Sequence, residues 1–192
     1  MDERSILIMG HSFIRRLRDF IAKNPTDYYL NLGLNDRVSV HWHGVGGRTV
    51  KKLTTFDLNI VRQVQPDIVF LQIGTNDLTV KGMTPLTVGS AIEDLVRLLH
   101  DSYGVQLVYV GQTIKRRPIG DFNNKVHLLA QYLKTVLEPI PYAIYWSHRG
   151  FWRNASCYLS YDGVHLNGEG QHKFYRSIRG AVINSLKRID ES

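Results

Sequence analysis

The 192 residues include 43% hydrophobic and 21% charged side chains and carry a net charge of +7. That balance excludes a disordered or fibrous chain, and the length suits one well-buried domain over 1–192, not comfortably two. The single cysteine, Cys157, excludes an internal disulfide framework, and the positive excess makes acidic partners a physical expectation: nucleic acid, anionic surfaces or anionic substrates.

Met1-Asp2-Glu3-Arg4 leads straight into an apolar run and lacks the basic start and long apolar stretch of a signal peptide. No run reaches the length of a membrane span, so an intracellular setting is expected, whether the chain stands alone or inside a larger protein. Residues 5–9 read as a buried strand. Gly10 lets the backbone turn sharply, and Ser12 opens a helix for which it can also serve as N-cap. Phe13, Leu17, Phe20 and Ile21 share one face of that helix, and Asn24-Pro25 ends it. After a polar connector, residues 37–42 alternate, with Val38 and Val40 facing one way, and read as a second strand. Gly44, Gly46 and Gly47 form a loop, and one helix is predicted over 49–65.

Residues 67–73 form a continuous apolar run, as a central parallel strand buried on both faces requires. Helical spacing returns over 85–102, and a fourth strand follows over 105–110. The basic loop Lys115-Arg116-Arg117-Pro118 precedes a helix over 121–137, stopped before Pro139. A fifth strand covers 142–146, and an aromatic, basic loop runs over 148–161. The last helix starts near Asn167, with Phe174, Ile178, Val182 and Leu186 on one face. Strands alternating with helices predict a five-stranded parallel sheet covered on both sides, with ligands bound at the carboxyl ends of its strands.

The chemistry-bearing residues fall at those ends. A serine hydroxyl is a weak nucleophile until a base takes its proton, and His165 is a base of the right kind. Asp162, three residues earlier, can reach the imidazole within one turn, fix its tautomer and stabilise the imidazolium. The oxyanion formed on attack needs donors, for which the candidates are the backbone N–H groups of Ser12 and Gly47 and the side-chain amide of Asn76. Gly47 lacks a Cβ and so suits close backbone approach, although Gly44 and Gly46 compete for the role.

Four stretches carry a resemblance: Gly10-His11-Ser12, Gly46-Gly47-Arg48-Thr49, Gly74-Thr75-Asn76-Asp77 and Asp162-Gly163-Val164-His165-Leu166. In this order and spacing the chain resembles the SGNH, or GDSL-type, hydrolase family. The resemblance implies a three-layer α/β/α flavodoxin-like sandwich and ester hydrolysis without a metal or other cofactor. It also implies Ser12, Asp162 and His165 as catalytic triad, with Ser12, Gly47 and Asn76 as oxyanion hole. A looser likeness to esterase domains of LINE-type retrotransposon proteins would suit the basic charge. One residue departs from the pattern: His11 stands where the family usually has Asp, losing a favourable carboxylate–dipole interaction of about 1 kcal/mol or less.

Two functional readings stay open at this point. One is a serine esterase acting on a short-acyl ester, with an anionic substrate favoured by a basic rim. The other is a catalytically weak domain of the same fold that binds nucleic acid or another polyanion through that rim. A nucleotide binder ranks below both, because no phosphate-cradling glycine loop follows the first strand. The rim is expected from His11, Arg48, Lys51, Lys52, Lys81, Lys115, Arg116, Arg117, Arg149 and Arg153, all on loops or loop flanks after strands. Phe151 and Trp152 either wall the acyl pocket or pack their loop onto the sheet. His41 and His43 share a strand face and His11 stands at the neighbouring strand end, yet no carboxylate or cysteine joins them in sequence to make a metal site.

Overall fold

A computed structural model describes residues 3–34, 38–118, 120–152 and 155–191. Its strands are β1 (Arg4–Gly10), β2 (Val38–Gly44), β3 (Ile68–Gln72), β4 (Leu107–Gly111) and β5 (Ala143–Trp146). Its helices are α1 (Ser12–Lys23), α2 (Val50–Phe56), α3 (Leu58–Val64), α4 (Pro85–Tyr103), α5 (Phe122–Leu137) and α6 (Gly168–Asp190). The sheet order is β2-β1-β3-β4-β5, and every neighbouring pair is parallel.

Alternation along the central strands builds the two cores. Ile6, Ile8, Phe70 and Tyr109 face α1 and α6, where they meet Phe13, Leu17, Phe174 and Ile178. Leu7, Met9, Val69, Leu71, Val108 and Val110 face the other way, onto the apolar sides of α2, α3, α4 and α5. Strands buried on both faces need an unbroken apolar run, which is why they read so clearly in the sequence. The result is the expected three-layer α/β/α sandwich. The chain leaves β1 for β2 on one side and returns to β3 on the other, which opens a crevice at the carboxyl ends of β1 and β3.

Most predicted elements are present within two residues of their expected bounds. Arg37, expected to start β2, lies outside the described residues. The helix expected over 49–65 is in fact two, α2 and α3, interrupted at Asp57. At the break the Asp57 carboxylate is buried and ion-paired to Arg48 on the preceding loop. Ser12 is the first residue of α1 and not its cap. The N-cap is His11, whose Nδ1 accepts from Phe13 N at 3.4 Å. Thr49, Thr84 and Asn167 cap α2, α4 and α6 through their side chains. Among the described residues no helix is long and apolar enough to cross a membrane.

Candidate active site

β1 ends at Gly10, in register with Gly44 of β2 and Gln72 of β3. Gly10 has φ +153°, and a Cβ there would overlap the Gln72 carbonyl, so the turn admits only glycine. Past it, His11 N donates to Gln72 O (3.2 Å) and Val45 N donates to Gly10 O (3.0 Å), which stitches the corner shut. Ser12 follows, half-buried, with a backbone N–H that finds no acceptor among the described residues.

His11 was expected on the rim, but it is 1% exposed. Burial, with the neighbouring charges of Arg116 and His165, pushes its imidazole down to about 3, so the ring is neutral at pH 7. The capping nitrogen Nδ1 is therefore an unprotonated acceptor, the role an aspartate oxygen would fill at the same position. Histidine keeps the cap and drops the charge.

The turn before α6 brings the other two groups in. Asp162 Oδ1 accepts from the backbone N–H groups of Val164 and His165, both at 2.9 Å, and Oδ2 lies 2.7 Å from His165 Nδ1. Burial works against the charge on Asp162, yet hydrogen bonds from His165 and Val164 hold its carboxyl well below the usual carboxylate range. A carboxylate facing Nδ1 requires the proton on that nitrogen, which leaves the Nε2 lone pair free. Nε2 lies 3.2 Å from Ser12 Oγ, across 153 residues of sequence. The turn is zipped by Ser160 N donating to His165 O (2.7 Å) and by a bridge between Leu159 and Leu166. The three residues expected to act together are thus in one hydrogen-bonded line.

The loop after β2 carries Gly47, the residue of this loop expected to offer a backbone donor. Gly47 is exposed, has φ +71°, and its N–H finds no acceptor among the described residues. A Cβ at Gly47 would meet no protein atom within 4 Å, and the left-handed backbone is what favours glycine there. Asn76 Nδ2 donates one proton to Arg48 O at 2.8 Å, which ties this loop to the end of β3 and leaves its second N–H free. Two buried carboxylates fix the same loop. Asp57 accepts from Arg48 Nε (2.6 Å) and Nη2 (2.9 Å), while Asp77 Oδ1 accepts from Val50 N at 2.9 Å. Burial raises the Asp77 carboxyl. His43 Nε2 lies 3.3 Å from Asp57 Oδ1 without the alignment of a hydrogen bond.

Behind the crevice sits a polar cluster that periodicity did not reveal. His148 donates from Nε2 to Gln72 Oε1 (3.0 Å), and its Nδ1 meets Ser177 Oγ (2.8 Å). Gln72 Nε2 donates to Gln112 O (3.0 Å), and Gln112 Oε1 accepts from His148 N (3.0 Å). Burial pushes His148 down to about 3, so the network is neutral and its tautomer is set by the Gln72 acceptor. The available signal was Gln72, an amide inside an otherwise apolar strand. For Asp57 it was a carboxylate spaced with Val50, Leu53 and Val61 on one buried helix face.

The basic rim is not what its sequence positions suggest. Arg48 is spent on Asp57. Arg117 is a latch on the turn that carries Asp162 and His165: its N donates to Gly163 O (2.8 Å) and its Nη1 to Tyr161 O (3.2 Å). Arg149 lines a separate cleft of about 840 Å³ between β5 and α6, with Trp146, Tyr158, Lys173 and Arg176; none of Ser12, Asp162 or His165 lines it. Lys51, Lys52 and Lys81 are exposed, and Arg153 lies outside the described residues. Lys115 Nζ sits 4.2 Å above the Trp152 ring, which also packs against His127. Phe151 is buried between His148 and Tyr158, a packing role. His41 bonds Ser39 Oγ, so it, His43 and His11 each serve a different contact. No group of three or more His, Cys, Asp or Glu among the described residues could hold a metal ion.

Residues 9–173 match the model of the GDSL-like lipase/acylhydrolase family. No curated protein matches the chain in sequence. Solved structures share its fold at low identity. A GDSL-like lipase from Bacteroides thetaiotaomicron is 16% identical with a TM-score of 0.72, over 95% of this chain and 89% of that one. A catalytic mutant of an acetylxylan esterase from Geobacillus stearothermophilus is 15% identical with a TM-score of 0.71, over 92% and 93%. An alpha/beta hydrolase from the metagenome of Lake Arreo, Spain, is 16% identical with a TM-score of 0.69, over 94% and 95%. With the family model spanning the crevice from the end of β1 into α6, this chain belongs to the GDSL-like lipase/acylhydrolase family and is a hydrolase of ester bonds.

Proposed function

We propose that the protein is a serine esterase in which Ser12 is the nucleophile, His165 the general base and Asp162 the group that orients it. The observation that carries this reading is the continuous line from Asp162 Oδ2 through His165 (2.7 Å) to Ser12 Oγ (3.2 Å). In the first step His165 Nε2 takes the Ser12 proton as Oγ bonds to the ester carbonyl carbon. The carbonyl π electrons move to oxygen, and the N–H groups of Ser12, Gly47 and Asn76 receive the oxyanion. As the tetrahedral species collapses, the alkoxide leaves and takes the proton from His165. Water then attacks the acyl-serine with the same base and releases the acid.

A short-acyl ester is the first substrate to test, since an acetylxylan esterase shares the fold. The test is hydrolysis of p-nitrophenyl acetate together with labelling by a serine-directed fluorophosphonate. Ser12→Ala is expected to abolish labelling and lower turnover by about four to six orders of magnitude with the fold retained. Wild-type turnover in that variant would sink the covalent mechanism. A second reading, a polyanion-binding domain, is favoured by the cleft that places Arg149, Lys173 and Arg176 together. That reading predicts no labelling, with salt-sensitive retention of nucleic acid instead.

A further inference from the structure

Of the cations expected around Ser12, Arg48 and Arg117 already have acceptors, and the Lys115 ammonium is seated on Trp152. Arg116 differs. Its backbone is clamped at both ends by one side chain: Arg116 N donates to Asn123 Oδ1 (3.0 Å), and Asn123 Nδ2 donates to Arg116 O (2.8 Å). Its guanidinium lies 4.4 Å over the Phe122 ring at the start of α5. Backbone and side chain are therefore both fixed before anything binds. Yet the guanidinium donates to no acceptor among the described residues, and its Nε is fully buried without a partner. The group is half-buried, and burial lowers its basicity while Asp162 partly offsets the effect. The next residue, Arg117, donates its N–H to Gly163 O (2.8 Å) in the turn between Asp162 and His165, so Arg116 stands beside that turn.

A rigid, partly desolvated guanidinium with unused donors next to a catalytic line is a fork waiting for two oxygens. We propose that Arg116 receives a carboxylate or phosphate carried by the ester, so that the substrate class is an anionic ester. This rests on the serine-esterase reading. The charged group can sit on the acyl side or on the leaving-alcohol side; both present the same oxygens to Arg116.

The test compares kcat/KM for anionic and neutral esters in wild type and Arg116→Gln. Mono-p-nitrophenyl succinate against p-nitrophenyl acetate probes the acyl side. 4-Acetoxybenzoate against its methyl ester probes the leaving side. In at least one pair, Arg116→Gln should lower the anionic-to-neutral ratio about 10- to 100-fold, the range for a charged hydrogen bond. Arg116→Lys should recover part of that loss, since it keeps the charge and loses the fork. An unchanged ratio in both pairs overturns the proposal. So does an equal loss on both members of each pair, which would make Arg116 a positioning residue acting through Asp162. If wild type hydrolyses none of the four esters and takes no fluorophosphonate label, the serine-esterase reading fails, and calorimetry of succinate monomethyl ester with wild type and Arg116→Gln decides the anion site alone. Weaker binding in the variant keeps the site, and equal binding removes it.

Discussion

Asp57 holds Arg48 at two points, 2.6 and 2.9 Å, and the backbone carbonyl of that same Arg48 accepts the Asn76 amide at 2.8 Å. One buried carboxylate thus sets both the glycine loop and the side chain at the end of β3. Removing either partner leaves a charge without its counterion in a site where Asp57 has a side-chain exposure of 5% and Arg48 of 22%. Asp57→Ala is expected to destabilise the fold by about 3 kcal/mol and to lower kcat more than it raises KM. In a double-mutant cycle with Arg48→Ala the two losses should fall short of additivity by roughly 1–3 kcal/mol. Fully additive losses in urea unfolding would mean that the pair is not a unit.

Asn76 has a second N–H beyond the one given to Arg48. If that proton meets the oxyanion, it stabilises charge present only in the transition state. Asn76→Ala should therefore reduce kcat by roughly 10² to 10³ with little change in KM. A raised KM at unchanged kcat would place Asn76 in ground-state binding.

How much of this was legible beforehand differs from layer to layer. The element order was readable because the core strands, Ile6 to Met9 and Ile68 to Leu71, are buried on both faces and cannot tolerate interruption. Ser12, Asn76, Asp162 and His165 were readable because a parallel sheet gathers its strand-end loops on one edge. The break at Asp57 was not, since helical spacing runs straight through Val50, Leu53, Asp57 and Val61. Nor was the fate of the rim. A cation in a loop looks free until its acceptor is located, and the acceptors of Arg117 are backbone carbonyls that carry no sequence signal.

The two buried histidines give the stability a defined acid dependence. His11 and His148 sit at about 3 in the folded protein against 6.5 for an unperturbed imidazole. Folded pKa values lie below unfolded ones, so the unfolded chain binds more protons between these limits. Stability is then fully present above pH 6.5 and falls as pH drops through the window, by about 1.4 kcal/mol per pH unit for each histidine. Asp162, held below 3.8, adds loss of the same sign only at lower pH. His11→Asn keeps a capping oxygen and removes the titrating ring, so it should flatten the slope of unfolding free energy between pH 6.5 and 4.5 by about half. Urea midpoints across that range measure it, and a slope identical to wild type would show that His11 does not titrate on unfolding.

Gly10 and Gly47 both adopt positive φ, +153° and +71°, yet alanine should affect them in different ways. At Gly10 the added Cβ would overlap the Gln72 carbonyl, and that carbonyl is pinned because it accepts His11 N at 3.2 Å. No side-chain rotation relieves an overlap between backbone atoms of adjacent strands, so β1 and β3 must separate at the corner that holds Ser12. Gly10→Ala is expected to cost more than about 4 kcal/mol, enough to prevent folding of a marginally stable domain. At Gly47 the Cβ meets nothing within 4 Å, and only the left-handed backbone is penalised, by about 1–2 kcal/mol. The N–H proposed to meet the oxyanion is retained, so Gly47→Ala should fold, with kcat lowered by roughly tenfold as strain loosens the loop. Circular dichroism and ester turnover on both variants separate the cases. Complete loss of turnover in a folded Gly47→Ala protein would show that substrate approaches this backbone more closely than the open space around it implies.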